Sequence, residues 1–258
     1  MVSSRPLIQW AVANGCKRTS LVRHAATCGI LAVVQYMLET GTAFDNDLYF
    51  KKKTKTLVCK AAASRGDIEM LQWARAHGFV WDARTTAAAA ARGHLEVLQW
   101  AHAKGCPLNG CIHGAAAYGG HVEVLEWARD TIYAWDEEAC QGAAAAGRLD
   151  VLQYLRRNGC PWDTRTFYAA AHNGHLQLLQ WAHANGCPFN EDRYSAAVRA
   201  GHLHVLQWLH ELGSPWGIGE CTTAAAYGHL DILQWLRARG CPWDAADGQA
   251  TPPNGDLA

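Results

Sequence analysis

The sequence predicts an all-α protein, a solenoid of stacked helix-turn-helix repeats, and three observations predict it. A glycine recurs at Gly66, Gly93, Gly120, Gly147, Gly174, Gly201 and Gly228, always 27 residues apart. An aromatic residue follows each glycine seven positions later, as Trp73, Trp100, Trp127, Tyr154, Trp181, Trp208 and Trp235. An alanine stands four positions before each, as Ala62, Ala89, Ala116, Ala143, Ala170, Ala197 and Ala224. A fixed period of this length marks units too small to bury their apolar faces alone, which stack to do so.

Taken in order, Leu7-Ile8-Gln9-Trp10 reads as the second half of a unit, and Ala25, Gly29 and Tyr36 open the first full one. Gly29 and Gly66 are 37 residues apart, so ten residues are inserted between them. The organisation read from this is a half unit and first repeat over 1–40 and an insertion loop over 41–55. Seven regular repeats over 56–246 and a polar tail over 247–258 follow. Within a repeat, residues 163–173 show how the first helix is written. Asp163 supplies an N-cap carboxylate for the free amides of the first turn, and alanines follow, which cost least in a helix and let another helix approach. After Gly174 the second helix carries Leu176, Leu179 and Ala182 on one stripe, widened by Leu178 and Trp181, with Gln177 and Gln180 facing out. Gly186 suits the left-handed position past the helix end, and Pro188 prevents a restart.

The pattern A-A-x-x-G-H-L-x-V-L, an aromatic, then G-C-P-W-D resembles the ankyrin repeat, most fully from Ala89 to Asn109. The resemblance is to a short, tryptophan-rich variant numerous in large DNA viruses, algae, oomycetes and amoebae. The period here is 27 residues where ankyrin repeats have about 33, and the T-P-L-H that accompanies the projecting hairpin is missing. The resemblance implies an ankyrin-type array with shortened fingers, non-catalytic, binding another protein on its concave face.

Lys plus Arg equals Asp plus Glu at 23 each. A neutral balance exerts no long-range pull on nucleic acid or an anionic membrane, so neither is expected as a partner. No small-molecule substrate or cofactor is expected either. No apolar run approaches the roughly 20 residues that span a bilayer, and the first residues lack a signal-peptide core. The ten cysteines are read as reduced thiols in a cytoplasmic protein, with Lys51, Lys52, Lys53 and Lys55 as an exposed loop cluster or a nuclear-import patch.

The repeat register decides how candidate site residues are read. His94, His121, His175, His202 and His229 follow their glycines, one per repeat; neighbours about 10 Å apart cannot share a metal at about 2 Å. They read as frame. Cys106, Cys160, Cys187 and Cys241 fill one column, and Cys59, Cys140 and Cys221 another, so no metal site is expected. The tryptophans of the helix column read as buried packing. Arg75, His102, Arg129, Arg156, His183, His210 and Arg237 form a column that either complements the helix dipole or offers an anionic docking stripe. No catalytic motif interrupts the array. Positions that vary while the frame holds are the candidates for recognition: Arg92, Tyr118, Tyr168, His172, Asn173, Arg199 and Tyr227, read as a protein-binding surface. Two other readings stand beside this one, a substrate adaptor for ubiquitin ligation and a metal- or redox-responsive cysteine protein. The array begins with an unpaired second helix and stops after Trp243-Asp244. The expectation is that something covers its ends or that it is a piece of a longer array.

Overall fold

The computed structural model describes residues 5–16, 18–39, 48–109, 111–132, 135–190, 193–213 and 219–242. Those residues form seventeen α-helices and divide into two compact units. The chain is an all-α solenoid of stacked helix-turn-helix repeats.

The first unit takes in Met1–Ala143 and Val151–Cys160. It holds α1 (Arg5–Ala13), α2 (Arg18–Cys28), α3 (Leu31–Glu39), α4 (Leu48–Arg65), α5 (Ile68–Ala76) and α6 (Ala83–Ala90). Next come α7 (Leu95–Ala103), α8 (Cys111–Gly119) and α9 (Val122–Ile132), then most of α10 (Glu137–Ala145) and α11 (Leu149–Arg157). First helices stack in a row, α2 on α4, α4 on α6 and α6 on α8, and α3, α5, α7 and α9 each pack on their own first helix. The second unit, Ala144–Asp150 and Pro161–Ala258, repeats the scheme. Its first helices are α12 (Thr164–His172), α14 (Arg193–Ala200) and α16 (Glu220–Ala226), and its second helices are α13 (Leu176–Ala184), α15 (Leu203–Glu211) and α17 (Leu230–Ala238).

The alanine column is why first helices can lie side by side. Ala62, Ala116, Ala143, Ala170, Ala197 and Ala224 are wholly buried, and Ala89 nearly so. At α8 and α10 the approach is closer still, because a Cβ on Gly142 would strike the carbonyl of Gly114. Second helices bury only their inner stripe, for example Leu178, Leu179 and Ala182 in α13. Helix starts follow local chemistry. Asp82 and Thr85 form a capping box at α6, and Asp163 accepts the Arg165 amide at 2.9 Å at α12. Helix ends follow it too. The Cys187 amide donates to Ala182 O at 2.9 Å around the left-handed Gly186.

Two expectations change here. The segment 41–55 is not a loop throughout, since α4 begins at Leu48 and runs eighteen residues. No glycine or proline between 48 and 65 stops it, so the insertion lengthens a first helix. The side chains of Lys51, Lys52, Lys53 and Lys55, residues 41–47 and the tail 247–258 lie outside the described residues. The helix tryptophans are not core either. Trp73, Trp100, Trp127, Trp181, Trp208 and Trp235 are half-buried and Trp10 is 67% exposed. They sit at the margin where one repeat meets the next. No helix among the described residues is long and apolar enough to cross a membrane.

Candidate functional site

The turn between the two helices of a repeat is where the variable residues stand, and the glycine-histidine pair shapes it. His94 Nε2 lies 3.2 Å from Ser64 O, His175 Nε2 3.3 Å from Ala145 O, His202 Nε2 3.0 Å from His172 O and His229 Nε2 3.1 Å from Arg199 O. Each contact spans thirty residues and ends on the carbonyl two positions before the preceding repeat's glycine. A carbonyl only accepts, so Nε2 carries the proton in each case. The imidazole thereby satisfies a carbonyl that the end of a first helix leaves without an intrahelical partner. It also lies flat over the preceding glycine, where a Cβ on Gly66 would come within 2.7 Å of His94 Nδ1. This histidine latch fastens a repeat to the one before it at His94, His175, His202 and His229. At the irregular junction Arg65 does the same work, donating to Thr27 O at 3.3 Å and covering Gly29. Asp67, in the histidine column, is therefore free to cap α5, accepting the Met70 amide at 2.8 Å.

The cation column divides into two roles. Arg75 donates to Phe79 O and Arg237 to Cys241 O, each at 2.7 Å, and Arg156 donates to Cys160 O, closing the exit loop. Arg75 also lies over the Trp81 ring at 4.3 Å, and Trp81 meets Trp100 of the next repeat edge-on at 5.7 Å. Where the column holds histidine, the imidazole makes that contact itself: His102 to Trp127 at 6.0 Å, His183 to Trp208 at 5.9 Å and His210 to Trp235 at 5.6 Å. These side chains are committed to the frame.

The cysteine columns are committed as well. Cys106 and Cys160 thiols point at the carbonyls of Asp82 and Asp136, at 3.6 and 3.5 Å. Burial pushes the Cys106 thiol up to about 12 and the Cys59 thiol to about 11. Among the described residues no group of three or more His, Cys, Asp or Glu could hold a metal.

Against this frame the variable positions separate. In the first unit Arg92 and Tyr118 are exposed, Tyr118 by 56%. In the second, His172, Asn173, Arg199 and Tyr227 are exposed, Tyr227 by 59%. Tyr168 is half-buried, its ring parallel to that of His172 at 8° and 6.0 Å. Asn173 is spent locally, donating to Ala169 O at 2.8 Å. The latch bears directly on these residues. The backbone carbonyls of His172 and Arg199 are held by His202 and His229, so their exposed side chains stand on pinned mounts. The sequence reading placed these residues on one surface but had no sight of the latch. The signal that could have found it was the 30-residue offset from each histidine to the carbonyl two before the previous glycine.

A family profile described as "Ankyrin repeats (many copies)" matches residues 59–102 and 86–129, well under half of the chain. No curated protein matches the chain in sequence. Among solved structures, the chain is similar to the pentatricopeptide repeat protein PPR10 in complex with an 18-nt psaJ RNA element, with 15% identity and a TM-score of 0.45. It is also similar to PPR10 from maize at 17% identity and a TM-score of 0.40. These matches cover 94% and 93% of this chain but 44% and 42% of the other, so the chain spans less than half the length of the structures it resembles.

The expectation of a specifically ankyrin array of the G-C-P-W-D type is corrected by these findings. The wider description holds, an all-α protein of stacked helix-turn-helix repeats. The expectations that hung on ankyrin identity go with it: a protein partner on a concave face, and nucleic acid excluded as a partner. The exclusion had a physical flaw as well. Net charge is a sum over 258 residues, whereas phosphate contacts depend on which side chains stand together.

Proposed function

We propose that this chain is a non-catalytic repeat scaffold, each of whose two units holds single-stranded RNA along the ends of its own first helices. The observation that carries the reading is the exposure of Tyr118 and Tyr227, by 56% and 59%, at the ends of first helices α8 and α16. An exposed tyrosine ring presents a flat apolar face on which a base can stack, and unpaired bases are available only in single strands. Tyr168 and His172, already parallel, offer the same kind of face. Arg92 and Arg199 supply cations for phosphate and a guanidinium plane for stacking. The proposal rests on these side chains and takes nothing from the likeness to the RNA-bound structure.

The test is fluorescence anisotropy of a labelled uridine-rich RNA oligonucleotide with the wild type and with Tyr118→Ala and Tyr227→Ala. Each alanine should weaken binding by about 1–3 kcal/mol, the worth of one stacked base, while Tyr→Phe at either position leaves it unchanged. No binding by the wild type, or equal binding by the alanine variants, removes the proposal.

A further inference from the structure

Three residues after the repeat glycine, five of the seven regular repeats carry an acid: Glu69, Glu96, Glu123, Asp150 and Asp231. In two successive repeats of the second unit that place is taken by Gln177 and His204. The same two repeats end their first helices with exposed His172 and Arg199. Acids thus withdraw from the place where basic and titratable side chains gather.

The geometry brings the histidines together, and Arg199 stands at the register of His172 one repeat on. His202 Nε2 donates to His172 O at 3.0 Å and His204 Nε2 to Gly174 O at 2.9 Å, with the two imidazole rings 5.7 Å apart. Burial depresses the basicity of His202, and its neighbours His204, His172 and His175 depress it further against a backbone hydrogen bond that raises it. Beside His175 and Gln177 opens a cavity of about 320 Å³, lined also by Gly147, Leu149 and Gly174. The charged groups of the packed elements can be named in full. Helix α12 brings His172, and its Arg165 is tied to Asp163 at 2.7 Å. Helix α13 brings His175 at its start and His183 in its last turn, and no acid; α14 brings Arg193 at its start and Arg199 in its last turn. Helix α15 brings His202 and His204, with His210 and Glu211 at its far end. One repeat to either side, Arg148 and Asp150 precede the cluster and His229 and Asp231 follow it.

We propose that His172, His175, Arg199, His202 and His204 form a proton-gated seat for the phosphodiester backbone of single-stranded RNA, which rests on the RNA-binding reading above. Acid adds a proton to a ring nitrogen not already donating to a carbonyl, which for His175, His202 and His204 is Nδ1, and burial works against that proton at His202. The imidazoliums repel one another, and a phosphate placed among them relieves that repulsion. Proton uptake and phosphate binding therefore reinforce each other, as linkage requires. The acids at this register in the other repeats would cancel the effect, and Gln177 and His204 are the two places where they are missing.

The experiment measures affinity at about pH 8 and about pH 6, at fixed salt, with two probes. One is a labelled oligouridylate followed by anisotropy, and the other is inorganic polyphosphate, which has no bases, followed by calorimetry. The proteins are the wild type, the Q177E/H204E double variant and H204Q, which keeps a donor for Gly174 O, each with its far-ultraviolet circular dichroism checked at both pH values. The wild type should bind both probes about tenfold more tightly at the lower pH, with a salt slope steeper by about 0.7 for each added phosphate contact. Q177E/H204E should lose most of that gain, and H204Q part of it. Equal wild-type affinity for both probes at the two pH values, or an undiminished gain in Q177E/H204E, overturns the seat. Oligouridylate bound equally at both pH values overturns the seat and leaves RNA binding standing. Polyphosphate bound with the pH gain while oligouridylate is not bound overturns the RNA reading and, with it, the seat as one for RNA.

Discussion

Gly66 and Gly78 belong to one repeat and share a backbone conformation, with φ of +74° and +73°. Alanine therefore meets the same left-handed strain at both, about 1 kcal/mol. Their surroundings differ. A Cβ at Gly78 has nothing within 4 Å, whereas one at Gly66 comes within 2.7 Å of His94 Nδ1 and 2.9 Å of its Cε1. The imidazole cannot retreat without giving up Ser64 O, now 3.2 Å from its Nε2. Overpacking of this kind costs about 1–3 kcal/mol, and the hydrogen bond about 0.5–1.5 kcal/mol more. Gly78→Ala should then destabilise by about 1 kcal/mol and Gly66→Ala by about 2.5–5.5 kcal/mol. His94→Ala opens the space, so the double variant Gly66→Ala/His94→Ala should cost less than the sum of the two singles by about 1–2 kcal/mol. Urea melts followed by circular dichroism give all four values. If Gly66→Ala and Gly78→Ala cost the same, or the double variant is additive, the histidine is not a latch.

Three other outcomes follow from the same contacts. Cys16, Cys28 and Cys111 are exposed and the other seven cysteines buried, so an aromatic disulfide reagent should titrate three thiols rapidly and the rest only in denaturant; more than three fast thiols contradicts the packing. Burial holds His113 and His202 below the ordinary imidazole value of 6.5. The unfolded chain takes up those protons first, so stability is complete above about pH 6.5 and falls as pH drops through it. His113→Thr, the residue type of Thr86 at the same register, should flatten part of that fall in urea midpoints between pH 7.5 and 5.5, and an unchanged slope contradicts the assignment. Arg75→Ala removes the donor to Phe79 O and should cost about 1 kcal/mol by thermal melting, with Arg75→Lys recovering less than half because a point charge does not stack on Trp81.

The fold was legible because the frame repeats. Ala62 through Ala224 declared first helices, Asp163 its N-cap and Gly186 its exit, and each stands where local chemistry puts it. What stayed hidden lies between repeats. Nothing in a single 27-residue unit shows that His94 answers to Ser64, because the partner is a backbone carbonyl and carries no residue identity. The long α4 was missed because an insertion without glycine or proline reads equally as loop or helix. The tryptophan column was read as core by analogy with leucine, but the indoles are half-buried and reach loop aromatics or imidazoles of neighbouring repeats, as Trp100 does Trp81 and Trp127 does His102. The candidate surface was partly legible. Tyr118, Tyr168, Arg199 and Tyr227 stood out by varying, but which chemistry they serve depends on neighbours such as His202 that the periodicity had assigned to the frame. Zero net charge then hid the local withdrawal of acids at Gln177 and His204.

The central claim is that RNA runs along the ends of the first helices. Ultraviolet crosslinking of a bound single-stranded RNA, followed by peptide mapping, tests it most directly. Crosslinks should fall on peptides that contain Tyr118, Tyr168 to His172, Arg199 to His204, and Tyr227. Their absence there, or their confinement to the lysines at 51–55, would contradict it.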